Sequence, residues 1–173
     1  LKAIAFDKTG TITEGKPKVT DVEVFGELPR EELLCIAAAA ESGSSHPLAV
    51  AIVNYAKSEN ITFSPVESEA IPGKGLSASV EGKAVIIGAA ARLGVSDTAI
   101  LARAAALEAE GKSVSVVIID LKPEGLIALR DEPRADAIAG IRDIKSLGVT
   151  PIMLTGDNRA NAEAVGKIVG MEV

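Results

Sequence analysis

Asp7-Lys8-Thr9-Gly10-Thr11-Ile12-Thr13 places a carboxylate, a cation, three short hydroxyls and a glycine within seven positions. A carboxylate can attack a phosphoryl group and carry it as an acyl phosphate. The N–H groups of the loop, the Lys8 charge and a bridging Mg2+ would then hold the phosphoryl oxygens. Gly10 lets the backbone come close to a ligand. The bland alternative is a strand-to-turn loop whose Asp makes a local turn hydrogen bond. A second polar stretch, Thr155-Gly156-Asp157-Asn158, opens a helix. Helix N-termini bind anions; simple capping by Asp157 or Asn158 is the alternative there.

A further set lies between these two. Glu41 precedes Ser42-Gly43-Ser44-Ser45-His46-Pro47, which carries the only histidine. A neutral imidazole can stack on or hydrogen-bond an adenine ring; before a Pro it can equally cap a helix or stand exposed. Pro72-Gly73-Lys74-Gly75-Leu76 lets a phosphate or ribose approach the glycine backbone, with Lys74 adding charge. A Gly-x-Gly is also common in ordinary hairpins. Gly88 stands after an apolar run and allows close approach too. Asp131 and Arg134 precede a helix, as a ligand contact or as an exposed ion pair.

These residues need elements to position them. Residues 3–6 read as a buried strand, and a strand end followed by a Gly-containing polar loop is where open α/β sheets place ligands. Residues 19–25 alternate as a strand. Pro29, Glu31 and Glu32 suit the first turn of a helix reaching 40 or 41. Pro47 starts a second helix, running to 57. Strands flank the Gly73-Lys74-Gly75 turn, Glu81-Gly82-Lys83 is a tight turn, and 84–88 is another strand. Asp97-Thr98 caps a helix ending at Gly111. Residues 113–119 form a central strand, and Pro123-Glu124-Gly125 turns into 126–129. This is an α+β insert on an antiparallel sheet. From Arg130 the pattern changes: a helix over 135–147 with Ile138, Ile141 and Ile144 on one face, a strand at 150–154 and a helix at 159–169. That is a βαβ pattern. The expected division is 1–19 and 129–173 in one α/β domain, with 20–128 inserted as a second.

Composition narrows the classes. The chain has 173 residues, 47% apolar and 24% charged, as a globular chain does. Aromatics are 2% with no Trp, so Ala, Val, Ile and Leu must build the core. A net charge of −6 argues against a general nucleic-acid surface. The one cysteine, Cys35, excludes an internal disulfide and a Cys-based metal site. It lies in an apolar helical run and reads as a buried, inert core thiol. No apolar run approaches the ~20 residues of a membrane span.

The heptapeptide at 7–13 resembles the phosphorylation motif of P-type ATPases, ion pumps whose catalytic domain is a haloacid-dehalogenase-like Rossmann fold. The resemblance implies that Asp7 is the phosphorylated nucleophile and that Asp7 and the Thr9 carbonyl hold Mg2+. It puts Lys8 where related phosphatases have an acid/base Asp. A long-lived phosphoenzyme, which a pump needs, suits that departure. Thr155-Gly156-Asp157 resembles the family's Thr-Gly-Asp motif, whose hydroxyl and N–H hold the phosphoryl group. His46-Pro47 with Glu41 upstream is similar to the Ser-Glu-His-Pro region of the heavy-metal subgroup, with Ser45 in place of its Glu. Pro72-Gly73-Lys74-Gly75-Leu76 fits that subgroup's nucleotide segment at every position. Gly88 fits as well, but Ala89 stands where an Asn often contacts the nucleotide. Asp131 and Arg134 resemble a hinge segment near the nucleotide.

The resemblance implies a truncated haloacid-dehalogenase-like phosphorylation domain with an inserted nucleotide-binding domain. ATP would sit in the insert, adenine near Glu41 and His46, and domain closure would deliver the γ-phosphate to Asp7. The partners implied are an actuator domain and membrane helices carrying the transported metal ion, with this region at the cytoplasmic face. The Ile71-Pro72-Gly73-x-Gly75 form looks more like copper than zinc or cadmium pumps. The family continues to a Gly-Asp-Gly-x-Asn-Asp motif not found here, so a fragment that does not turn over by itself is expected. Two rivals stand beside this reading. A stand-alone phosphatase is opposed by Lys8 and the His46-Pro47 insert. A non-catalytic nucleotide-binding module is the other.

Overall fold

The computed structural model describes residues 2–173. In chain order it contains β1 (Ala3–Asp7), β2 (Lys18–Val24), α1 (Arg30–Glu41), α2 (Pro47–Ser58), β3 (Ser68–Ile71), β4 (Gly75–Val80) and β5 (Lys83–Gly88). Then follow α3 (Thr98–Ala109), β6 (Ser113–Ile119), β7 (Lys122–Arg130), α4 (Ala135–Ser146), β8 (Thr150–Leu154) and α5 (Arg159–Val169). The chain divides into two compact units. One holds the residues up to Pro17, 105–113 and 130–173; the other holds 18–104 and 114–129. Residues 105–113, expected within the insert, thus cluster with the first unit.

In the first unit β1 and β8 pair in parallel, from Ala3 opposite Thr150 to Asp7 opposite Leu154. The core there joins Ile12, Ile141, Met153, Ala162, Val165 and Val169, with Phe6, Ile138 and Ile144 packed against it. The one-face spacing of Ile138, Ile141 and Ile144 thus does what a 3.6-residue period predicts. Gly170 ends α5 at φ +80°, donating its N–H to the Gly166 carbonyl at 2.7 Å. One expectation is corrected: β1 is not a buried strand. Its residues alternate between exposed and half-buried, because β8 is its only sheet neighbour among the described residues.

The second unit is a six-stranded sheet in the order β2-β7-β6-β5-β4-β3. Strands β3 to β6 pair antiparallel. α1 and α2 contribute Leu33, Leu34, Ile36 and Ile52 to one core with Val85, Ile87, Val117 and Ile127 of the sheet. Each such fully buried side chain contributes about 1.5–3 kcal/mol. Gly125 permits the close approach of α1, since a Cβ there would meet Leu33 Cδ2 at 2.4 Å.

Gly125 bears on a second correction. The turn before β7 is not Pro123-Glu124-Gly125, which lies inside the strand. The chain reverses at Asp120 and Leu121, with φ of +47° and +68°. Asp tolerates that region because its short side chain bonds locally. Asp120 Oδ1 accepts the Ala84 N–H at 2.9 Å, fastening the turn to β5.

Cys35 is the third correction. Its thiol is half-buried, not in the core, and lies 3.5 Å from the Thr62 carbonyl. Partial burial, then the nearby Glu81 and Glu32 carboxylates, push its pKa up, which disfavours the reactive thiolate.

Candidate functional sites in the two units

Because β1 and β8 are parallel and in register, their following loops leave the same sheet edge. Asp7 is the last residue of β1 and keeps extended geometry, φ −67° and ψ 142°. Lys8–Ile12 then wind a wide turn, with Gly10 at φ +76°, closed by the Thr13 N–H donating to the Lys8 carbonyl at 3.0 Å. Asp7 and Thr9 are exposed, whereas Lys8 is buried and ion-paired with Asp157. The Thr155 hydroxyl oxygen accepts the Asp157 N–H at 3.1 Å. Asn158, not Asp157, caps α5 by accepting the Asn161 N–H at 2.9 Å. Asp157 is therefore committed to Lys8. Among the described residues the Asp7 carboxylate makes no hydrogen bond or ion pair.

Thr13 is the residue to which sequence reasoning gave no role. It is fully buried, and its hydroxyl donates to Asp131 Oδ2 at 2.6 Å, while the Lys16 N–H donates to Asp131 Oδ1 at 3.1 Å. The Glu14 N–H donates to the Glu132 carbonyl at 3.0 Å beside it. Asp131 thus holds the exit of the Asp7 loop. The signal was present, since Thr13 ends the same heptapeptide. Arg134 turns elsewhere: its Nε and an Nη bond Asp136 at 2.9 and 2.7 Å, and that pairing lowers the Asp136 pKa to about 2. Thr13→Val removes a bond to a charged acceptor and should lower stability in urea unfolding by ~2 kcal/mol, with Thr13→Ser close to the parent. A loss equal in both variants would mean that the hydroxyl bond contributes nothing.

The resemblance seen in the sequence implies Mg2+ at this loop, an ion that takes oxygen ligands. The unengaged Asp7 carboxylate fits such a shell, and Thr9 can add its carbonyl. No cluster of three or more His, Cys, Asp or Glu that could hold a metal occurs among the described residues, so this edge supplies part of a shell only.

In the second unit the α1–α2 turn carries Glu41 and His46. Ser42 Oγ donates to the Ala39 carbonyl at 2.6 Å and accepts the Val66 N–H at 3.3 Å, tying the turn to the approach of β3. His46 is exposed and caps α2, its Nδ1 accepting the Leu48 N–H at 3.2 Å. An Nδ1 acceptor puts the proton of the neutral ring on Nε2, as a donor toward solvent or a ligand. Beside the turn lies a cleft of about 620 Å3, lined by Gly43, Val66, Ser68, Glu69, Ser77 and Ala78 among others. That size suits a nucleoside-sized ligand.

Glu41 is 8% exposed, and burial raises its carboxyl pKa from 4.5 to about 7. The folded chain therefore keeps a proton that the unfolded chain releases from about pH 4.5 upward. Stability should fall as pH rises from 4.5 to 7, by about 3 kcal/mol, and level off above. In Glu41→Gln that part of the slope should vanish in urea unfolding against pH; an unchanged slope would contradict the burial assignment.

The glycines of β3–β5 divide by role. Gly73 has φ +71° and open space around a would-be Cβ. Gly75 and Gly88 face each other across β4 and β5. A Cβ on Gly75 would lie 1.9 Å from the Ile87 carbonyl oxygen, and one on Gly88 2.0 Å from that of Lys74. Both are needed for strand approach, whatever else binds there.

A family model described as "haloacid dehalogenase-like hydrolase" matches residues 1–173. The chain belongs to that family, and pairs its α/β unit with an antiparallel-sheet unit as the cytoplasmic domains of P-type ATPases do. It is 41% identical, over 99% of its length, to a copper-exporting P-type ATPase of Bacillus subtilis (strain 168), covering 22% of that protein. It is equally 41% identical, over 98% of its length, to a zinc/cadmium/lead-transporting P-type ATPase of Shigella sonnei (strain Ss046), covering 23% of it. A solved structure of the catalytic domain of the CPx-ATPase CopB-B, concerned with its changes upon nucleotide binding, matches at TM-score 0.73 and 26% identity. That match covers 99% of this chain and 59% of the other. The relatives are heavy-metal P-type ATPases, of which the chain spans less than a quarter, and copper and zinc/cadmium/lead types match alike. No helix among the described residues is long and apolar enough to cross a membrane.

Proposed function

We propose that this chain is the ATP-binding and phosphorylation region of a heavy-metal-transporting P-type ATPase, at the cytoplasmic face of a membrane. The observation that carries the reading is the Asp7 carboxylate, exposed and unengaged among the described residues, beside a Lys8 already neutralised by Asp157. A carboxylate free of donors keeps its lone pairs for attack. The Asp7 carboxylate attacks the γ-phosphorus of ATP, forming an acyl phosphate as the bond to the leaving ADP oxygen breaks. Loop amides and the Thr155 hydroxyl face the developing charge. Asp7 and the Thr9 carbonyl would hold Mg2+, which when bound would supply charge neutralisation to the phosphoryl group. Lys8, tied to Asp157, is no shuttle for a water proton, so the acyl phosphate persists. That tie disfavours a stand-alone phosphatase. Actuator domain, membrane helices and transported ion belong to the longer protein. The ion is copper on the Ile71-Pro72-Gly73-x-Gly75 pattern alone, and equal identity to a zinc/cadmium/lead pump gives that no added weight.

ATP sits in the second unit, its adenine in the cleft near Glu41 and His46. Asp131 holds the Asp7 loop; Arg134 completes the helix start. Calorimetric titration of the chain with ATP tests the binding half. Saturable binding is expected, weakened about tenfold in His46→Ala and more in Gly73→Asp, which sets a carboxylate against phosphate. Binding indifferent to both changes would move the nucleotide elsewhere.

A further inference from the structure

A loop that faces a transferring group must be held by its own support. Thr155-Gly156-Asp157 is held on one side by the pairing of Asp157 with Lys8. On the other side stands Asn158, between the loop and α5. Its Oδ1 accepts the Asn161 N–H at 2.9 Å and so caps the helix. An amide whose oxygen caps a helix still has its Nδ2 to donate. The partner of that Nδ2 decides whether the side chain keeps the capping orientation.

Glu108, in the last turn of α3, is half-buried and hydrogen-bonded to the Asn158 side chain. Burial raises the Glu108 carboxyl pKa, and the bond to Asn158 works in the opposite direction. A bond that favours the charged form is one in which the amide donates to a carboxylate. Nδ2 therefore faces Glu108 while Oδ1 faces the helix. Glu108 is itself on a fixed support. Its segment, 105–113, clusters with the first unit. The Gly111 backbone rests on α5, since a Cβ there would lie 3.6 Å from Val165 Cγ2 and 3.7 Å from Ala164 Cβ. The Gly111 N–H donates to the Glu108 carbonyl at 2.9 Å. Arg130 Nη2 donates to the Glu110 carbonyl, also at 2.9 Å.

Resting on the phosphorylation proposed above, we infer that Glu108 is a positioning residue for phosphoryl transfer. It holds the Asn158 amide in its capping orientation, and through Asn158 it holds the Thr155-Gly156-Asp157 loop beside Lys8 and Asp7. Its loss then lowers the rate of phosphorylation and leaves the affinity for ATP, which the second unit supplies, unchanged.

The test is the rate of acid-stable phosphoenzyme formation from γ-labelled ATP in the longer protein, measured over a range of ATP concentrations. Glu108→Ala should slow the limiting rate about tenfold, with half-saturating ATP within about twofold of the parent. Glu108→Gln keeps an acceptor for Asn158 Nδ2 and should stay within about threefold of the parent. Asn158→Asp keeps the cap but sets a carboxylate against Glu108, and should slow the rate by at least about tenfold. Adding Glu108→Gln to Asn158→Asp gives that carboxylate a donor and should restore most of the rate. A parent-like rate in Glu108→Ala would overturn the inference. So would a double variant no faster than Asn158→Asp alone, because a side chain that merely fills space gives no such rescue. A rate loss matched by an equal loss of ATP affinity would overturn it too. A parent that forms no phosphoenzyme would instead remove the proposed function, and this inference with it.

Discussion

Asn in place of Asp7 is expected to abolish acid-stable phosphoenzyme in the longer protein that carries this region. Incubation with γ-labelled ATP should give label at background, at least ~1000-fold below the parent. Loss of a covalent nucleophile is among the largest single-residue effects known for enzymes. The reason lies in geometry as well as chemistry. Asp7 ends β1 in extended conformation, exposed and with its oxygens unengaged among the described residues, so Asn fills the same space and disturbs no bond described there. Stability and ATP affinity should be unchanged or slightly raised, since one negative charge near the phosphates is gone. A variant that retains label would mean that another group takes the phosphoryl. A variant that loses both label and fold would mean that Asp7 is structural.

The largest stability effect is expected at Gly75. It sits at φ +148°, where side chains rarely go, and its Cβ would meet the Ile87 oxygen at 1.9 Å. Backbone atoms cannot swing aside as a flexible side chain can. The strain of the dihedral and the forced parting of β4 from β5 add, and Gly75→Val should cost about 4 kcal/mol in urea unfolding. Gly82 gives the contrast. It has φ +78° but nothing within 4 Å of a Cβ, so Gly82→Ala should cost about 1 kcal/mol. Equal losses at the two positions would show that conformation alone matters and that the strand contact is soft.

Local signals in the sequence were strong where chemistry and periodicity coincide. The helix start at Pro47, the 138/141/144 face of α4 and the Gly170 stop each follow from rules acting within a few residues. What escaped was set by distant parts of the chain. Gly125 looks like a turn residue, and only the Leu33 side chain lying against it explains a glycine inside a strand. Asp120 and Leu121 make the turn because β5 opposes them, which no window of ten residues contains. Cys35 lies in an apolar run but toward its exposed side. At the candidate site Asp7, Lys8 and Asp157 could be named, yet the Lys8–Asp157 pair spans 149 positions and the Thr13–Asp131 bond 118. The latter gives Asp131 a part in supporting the Asp7 loop that no local signal in the sequence showed. The Glu108–Asn158 bond was likewise invisible, because it joins the end of α3 to the start of α5.

The most direct test of the central claim is to find where the phosphoryl group goes. The longer protein is labelled with ATP, quenched in acid and reduced with borohydride, which converts an aspartyl phosphate to homoserine. Peptide mass spectrometry then reads the modified position. Homoserine at position 7 and nowhere else is the predicted result. Intact Asp7 with phosphate on a Ser, Thr or His, or no covalent intermediate during ATP hydrolysis, would contradict it.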